Sequence, residues 1–296
     1  MKLRIRAALF AACLAAPTAG GVAAQSIARA PMTEADEARN QPAAPFRIAD
    51  NLYYVGTRDI AVYLFAGPRG MVLLDGGYEA SAPLVLANIR KLGFDPGTIR
   101  ILIASQAHSD HVGGLPAIKA ATGARLYASA ADATLLERGG SGDFAFGDSL
   151  RFPPVGVDHI LRDGDIVRLG PIRLTAHFTP GHTKGCTSWT MTARDRGRSL
   201  AALFVCGASA PGYRLVGNPA YSRILADFAQ SFAIWRGLKC ELFLGAHGAY
   251  FGLEAKRAAM RPGGPNPFVD PKGCRAFLAG AEASIAAQAE RQRRGG

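Results

Sequence analysis

Gln106-Ala107-His108-Ser109-Asp110-His111 follows, after Ser105, the apolar run Ile101-Leu102-Ile103-Ala104, and this junction decides how the chain is read. A short run rich in Ile and Leu, closed by small and polar residues, reads as a buried strand. The stretch after it places two imidazoles and one carboxylate within four residues, and these are donors that Zn²⁺ takes. Gln106 is the misfit, because a neutral amide offers only a carbonyl oxygen, a weaker zinc ligand than imidazole. The junction therefore reads as a strand end opening into a metal-binding loop.

Ala61-Val62-Tyr63-Leu64-Phe65 and Met71-Val72-Leu73-Leu74 read as neighbouring strands joined by Gly67-Pro68-Arg69-Gly70, with Asp75-Gly76-Gly77 closing the second. The spacing of Leu84, Leu86, Ile89 and Leu92 predicts a helix over 80–92. Beyond the metal loop the pattern predicts a helix over 115–122, a strand at 126–128 and a helix over 130–138. Residues 139–157 have no clear period, and a loop of this length is often functional. Strands follow at 166–168, 172–179, 187–192 and 200–205, then a Gly/Pro-rich loop over 207–219. A helix over 223–237, a strand at 241–244 and a helix over 271–291 complete the pattern. Residues 25–50, rich in Ala and Pro, read as an irregular leader that packs on the surface or frays, ahead of one domain over 51–296. Two strand-rich halves, each with helices, predict an α/β fold with sheets inside and helices outside.

The chain has six histidines, and three loops at strand ends carry four of them. These loops are Gln106–His111, Thr179-Pro180-Gly181-His182-Thr183 and Gly245-Ala246-His247-Gly248. A lone histidine is more often a hydrogen-bonded structural residue than a ligand. Four of them at Gly-containing strand ends, with Asp110 adjacent, point instead to one metal site at an edge of the sheets. His159 and His177 lie inside strand-like runs and take the structural reading.

The bulk composition suits one large core or two intimate halves: 296 residues, 49% hydrophobic and 19% charged. No apolar run is long enough for stable membrane insertion. Lys2, Arg4 and Arg6, the apolar stretch Ala7–Ala16 and the small residues Val22-Ala23-Ala24 read as a signal peptide over 1–24 and predict export to the periplasm. A lipid anchor through Cys13 is the weaker alternative, because Phe10 is bulky and the preceding apolar stretch is short. Removal of that segment lowers the formal net charge from +11 by three, to +8. The remaining basic residues form no stripe interleaved with aromatics, which argues against nucleic acid as a partner. In an oxidising compartment Cys240 and Cys274 could close a loop contributing roughly 4 kcal/mol. Cys186 and Cys206 are left as buried thiols, a pair, or neighbours of the metal, and spacing alone does not choose among the pairings.

The stretch 106–111 resembles the His-x-His-x-Asp-His motif of the metallo-β-lactamase superfamily, with Gln in place of the first His. Gly181-His182-Thr183 and His247 fall where that superfamily places its later ligands, and Asp75 matches its early Asp. Glu137-Arg138-Gly139-Gly140, Phe146-Gly147-Asp148, Ser209-Ala210-Pro211-Gly212-Tyr213, Gly217-Asn218-Pro219 and Cys240 with Cys274 resemble subclass B3 in particular. Many other superfamily hydrolases carry a metal-bridging Asp after the strand in the 200s. Gly207 stands at that position, as in subclass B3.

The resemblance implies an αβ/βα sandwich of two mixed sheets packed face to face, and up to two Zn²⁺ ions. Gln106, His108 and His182 would hold the first, and Asp110, His111 and His247 the second. The first would be weaker because of Gln106. It further implies that Ser209 holds a substrate carboxylate, that Phe144 or Phe146 and Tyr213 flank the groove, and that Cys240 pairs with Cys274. Asp75 would fix a ligand imidazole from behind, or simply close a strand-end turn. Cys206, one residue from the bridging position, would face away from the metal as a buried thiol. The implied activity is zinc-dependent β-lactam hydrolysis by a monomer acting on a small-molecule substrate. The nucleophile would come from metal-bound water, with Asp110 helping to orient it. The alternatives are a superfamily hydrolase of lactones, esters or thioesters, and a zinc-binding protein without turnover.

Overall fold

The computed structural model describes residues 32–295, so the expected signal segment 1–24 lies outside the described residues. Seven strands form one sheet in chain order: β1 (Phe46–Ala49), β2 (Leu52–Tyr54), β3 (Tyr63–Gly67), β4 (Gly70–Leu74), β5 (Ile99–Ile103), β6 (Arg125–Ser129) and β7 (His159–Leu161). The pairs from β1 to β4 are antiparallel, and those from β4 to β7 are parallel. Parallel neighbours need crossovers, which the helices supply. The second sheet contains β8 (Ile166–Leu169), β9 (Ile172–Phe178), β10 (Thr187–Asp195), β11 (Arg198–Val205) and β12 (Leu242–Gly245). Its order is β12-β11-β10-β9-β8, with only β11 and β12 parallel.

Strand periodicity places the core. Tyr63 and Phe65, Val72 and Leu74, and Ile101 and Ile103 face the second sheet, where they join Leu174, Trp189 and Phe204. The residues between them, Leu64, Leu73 and Leu102, face a separate cluster under the helices α2 (Ala82–Lys91) and α4 (Leu115–Thr122). Tyr63 and Phe65 meet Phe204 edge-on across the sandwich, with ring centroids 5.0 and 5.5 Å apart. Between these helices lies α3 (Ser109–Val112), which carries the central motif. α5 (Ala130–Glu137), α6 (Ile224–Gly237), α7 (Gly248–Phe251), α8 (Leu253–Ala259) and α9 (Pro271–Arg293) complete the helices that follow. None of the described helices is long and apolar enough to cross a membrane.

The leader differs from expectation. Residues 34–39 form a helix, α1 (Glu34–Arg39), and 46–49 form the first strand. Thr33 and Asp36 make a reciprocal capping box that starts α1. The alternation of Phe46 and Ile48 suits β1, with Ile48 buried and Phe46 stacked on Tyr54. Helix α1 buries no residue of its own. Polar contacts to distant parts of the chain hold it: Tyr78 Oη donates to Asp36, Ser81 Oγ to Asn40, and Thr57 Oγ1 to the Arg39 carbonyl. Those partners are far along the chain, so local pattern does not reveal the helix.

Both cysteine pairs are bonded, Cys240 to Cys274 and Cys186 to Cys206. The second corrects the expectation of a buried Cys206 thiol. β10 and β11 are antiparallel neighbours, so the residue before β10 and the residue after β11 arrive side by side, with Cα atoms 6.0 Å apart. The bridge packs against Gly207, whose amide donates to Cys186 Sγ at 3.2 Å.

Candidate metal centre

The C-terminal ends of β5, β9, β11 and β12 open into the loops that carry the candidate ligands. The Asp75-Gly76-Gly77 turn positions the first loop from behind. Asp75 accepts hydrogen bonds from the Ser105 amide (2.7 Å) and hydroxyl (2.6 Å). The amides of Gly76 and Gly77 both donate to the His111 carbonyl. Asp75 holds a left-handed φ of 65°, which Asp tolerates better than most residues. Its carboxylate stands 3.7 Å from His111 Nδ1, outside hydrogen-bonding distance, so its bonds here go to Ser105 rather than to the imidazole.

Two groups of donors result. His108 Nδ1 and His182 Nε2 face each other at 3.2 Å. His182 Nδ1–H donates to the Ser209 carbonyl at 2.7 Å, which leaves its Nε2 lone pair directed into the site. In the other group His111 Nε2 lies 3.2 Å from His247 Nε2, while Asp110 Oδ2 lies 3.2 Å from the first and 3.5 Å from the second. One donor atom from each of Asp110, His111 and His247 falls within a mutual 4.8 Å, a spacing that can hold a metal ion. His247 Nδ1 is tied to Asp59 Oδ2 at 3.0 Å, so its Nε2 is likewise directed inward.

The electrostatics match a cation-binding site. Burial disfavours a charge on Asp110, but His111, His247 and His108 around it outweigh that cost and hold its carboxyl well below the usual range. Burial also opposes protonation of His111, yet Asp110 and Asp75 lift its pKa to about 10. Burial and the neighbouring His108 push His182 down to about 3, so it offers a neutral imidazole. Gln106 is 0% exposed, and neither its amide oxygen nor its nitrogen has a hydrogen-bond partner. A buried, unpaired amide two residues before His108 fits a side chain that gives its oxygen to a metal.

His108, Asp110, His182 and His247 line a groove of about 410 Å³, within the usual size of small-molecule sites. Phe146 and Leu150 supply its apolar wall, and Phe146 meets the His108 ring edge-on at 5.4 Å. Ser209 and Tyr250 also line it. The structure places two expected groove residues elsewhere. Tyr213 is 1% exposed and spends its hydroxyl on the His182 carbonyl, so it packs behind that residue. Phe144 packs edge-on between Tyr213 and Tyr221. His177 bonds Thr190 Oγ1, and His159 lies against Tyr127, both apart from the groove.

Three carboxylates that local sequence did not single out support the site. Asp59 orients His247, and the antiparallel bridge of Ile60 to His247 brings it there. Asp143 lies 3.6 Å from His108 Nε2. Asp132, on the first turn of α5, accepts from Thr183 Oγ1 and the Gly185 amide at 3.1 Å each and so clasps the His182 loop. Gly185 is required there, because a Cβ would overlap Ser129 and Asp132. Gly207 sits against His182 in the same way, and a Cβ there would overlap the imidazole ring.

Residues 55–195 match the metallo-β-lactamase superfamily model. The chain is 40% identical to the native FEZ-1 metallo-β-lactamase of Legionella gormanii, covering 86% of this chain and 98% of that one with a TM-score of 0.84. The chain belongs to the metallo-β-lactamase superfamily. Its fold is the metallo-β-lactamase sandwich, and its likeness to subclass B3 extends over the domain. BJP-1 of Bradyrhizobium japonicum, a subclass B3 metallo-β-lactamase, is 39% identical over 87% of this chain and 97% of its own, with a TM-score of 0.82. GOB-18 of Elizabethkingia meningoseptica is 35% identical over 91% and 100%, with a TM-score of 0.84. Curated relatives are the hydroxyacylglutathione hydrolases of Fuscovulum blasticum, 37% identical over 84 residues, and of Jannaschia sp., 30% identical over 129 residues. Those matches cover 28% and 44% of this chain, and only 26% and 42% of the relatives' own lengths. A superfamily enzyme of this kind is a hydrolase that uses divalent metal, typically zinc.

Proposed function

We propose that this chain is an exported zinc-dependent β-lactamase that hydrolyses the β-lactam amide bond. Position 207 carries the reading. A metal-bridging Asp at this place marks many other hydrolases of the superfamily, but here a glycine packs so closely on His182 that a side chain would overlap the ring. Likeness to solved metallo-β-lactamases over nearly the whole of their chains supports the same reading.

In this proposal Gln106, His108 and His182 hold one zinc, and Asp110, His111 and His247 hold the other. Zinc would supply an electrophile for the carbonyl oxygen and lower the pKa of water toward neutrality. The protein's own contribution is orientation. Ser209 and Asp59 fix the inward nitrogens of His182 and His247 from behind. Asp110 adds a fixed negative charge beside the reacting centre and orients water, while Phe146 and Leu150 exclude bulk solvent along one wall. Ser209 contributes a neutral hydroxyl for the substrate. Gln106, the weakest donor, makes the first zinc the weaker of the two.

A thioester hydrolase is the second reading, favoured by the partial sequence likeness to hydroxyacylglutathione hydrolases. Purified protein loaded with zinc should be assayed against a chromogenic cephalosporin and against S-lactoylglutathione, each with and without a chelator. Chelator-sensitive cephalosporin turnover supports the first reading, and turnover of the thioester alone supports the second. Bound zinc with neither activity would leave a zinc-binding protein without turnover.

A further inference from the structure

Helix α1 enters the candidate groove. Asp36 and Arg39 line it alongside Asp59, Tyr78, Asp110 and His247. Arg39 is the one Lys or Arg side chain among the lining residues, and the acids there outnumber it. Its backbone is fixed, because its carbonyl accepts from both the Asp59 amide and Thr57 Oγ1. Asp59 in turn holds His247, so α1 is stapled to the second candidate metal group.

The guanidinium itself is left available. It is half exposed, makes one ion-pair contact, to Asp36 Oδ1 at 3.6 Å, and has no side-chain hydrogen bond among the described residues. The two acids that could compete for it are already engaged. Asp36 accepts from Thr33 and Tyr78, and Asp59 accepts from His247 and the Ala249 amide. An arginine whose carbonyl is pinned while its half-exposed guanidinium carries no hydrogen bond has donors to spare, an arrangement suited to a carboxylate.

We propose that α1 delivers Arg39 as the cation that seats the carboxylate of an anionic β-lactam substrate, beside the second metal group. Bicyclic β-lactams carry a carboxylate on the carbon next to the lactam nitrogen. Ser209 offers that carboxylate a neutral hydroxyl, and Arg39 supplies the charge. Arg39 is thus a specificity-determining residue that reads substrate charge. The inference rests on the β-lactamase reading above.

The test compares the zinc-loaded wild type with Arg39→Ala and Arg39→Lys, using a chromogenic cephalosporin as its free acid and as its neutral methyl ester. Arg39→Ala should raise KM for the free acid roughly 5- to 20-fold with kcat nearly unchanged, as expected for one charge-assisted contact. Arg39→Lys should recover part of the loss, and the ester's KM should be the same in all three proteins. Binding of the hydrolysed dicarboxylate product by calorimetry should weaken in parallel, with zinc content unchanged. Unchanged KM for the free acid, or an equal rise for the ester, would overturn the proposal. Loss of zinc from Arg39→Ala would overturn it too, by making α1 a structural support. A wild type that binds zinc yet hydrolyses neither acid nor ester would defeat the β-lactamase reading itself, and this inference with it.

Discussion

Gln106→Met separates the two demands that meet at Gln106. The wild-type side chain is completely buried with both amide atoms unpaired. Each unpaired buried polar group costs about 1–3 kcal/mol. Met has similar length and flexibility, no polar nitrogen and only a weak acceptor. The substitution should therefore stabilise the metal-free protein by about 2–4 kcal/mol. For a domain of this size that corresponds to a rise in Tm of roughly 5–12 °C. With zinc that advantage should largely vanish. A metal at a hundredfold its Kd stabilises by about 2.7 kcal/mol per site, and the variant should lose the increment from the first site. Thermal unfolding of chelator-dialysed and zinc-titrated protein, read with zinc stoichiometry, measures both effects. The reasoning fails if the metal-free variant melts no higher than the wild type, since ordered water would then satisfy the amide. It also fails if the variant still binds two zincs with wild-type affinity.

Further outcomes follow from the same geometry. Gln106→His should tighten the first site about tenfold or more, measured by competition with a chromophoric chelator, because imidazole is the better zinc donor. Asp59→Asn should lower zinc affinity or kcat/KM by roughly 10- to 100-fold, since it releases the inward orientation of His247. Breaking the Cys186–Cys206 bridge by Cys206→Ser should cost about 3 kcal/mol for a separation of 20 residues, seen as a lower midpoint in urea. Burial raises the folded-state pKa of Asp132 to about 6, well above the ordinary carboxylate value near 4. Its contribution is thus fully present below about pH 4 and lost as pH rises through 6, up to about 3 kcal/mol in all. Asp132→Asn should flatten that decline in the metal-free protein's urea midpoint between pH 4 and 7.

Much of this molecule is legible along the chain because its signals are local. Strand β5 followed by His108, Asp110 and His111 needs only periodicity and donor chemistry to be read. The same holds for the predicted 115–122, 130–138 and 223–237 helices, whose observed counterparts differ by at most a residue at either end. His182 and His247 are legible as candidate donors because each stands in a Gly-containing loop shortly after an apolar strand. The helix in the leader is not legible along the chain because α1 has no buried face, and its contacts come from Tyr78, Ser81 and Thr57, residues remote in sequence. Tyr213 and Phe144 show the complementary error. Their place in a loop beside the site was legible, but the direction of a side chain depends on what packs around it, here His182 and Tyr221.

The sequence by itself therefore determined the layered α/β architecture and the identity of the candidate metal donors, since both depend on short spacings and on the chemistry of single side chains. Only the tertiary structure decided which nitrogen of each imidazole faces inward, which cysteine Cys206 meets, and why residue 207 has no room for a side chain. It also decided that a helix from the supposed leader reaches the groove with Arg39. These are relations between residues distant along the chain. They are set by where the two sheets stack and by which hydrogen-bond partners that stacking brings within reach.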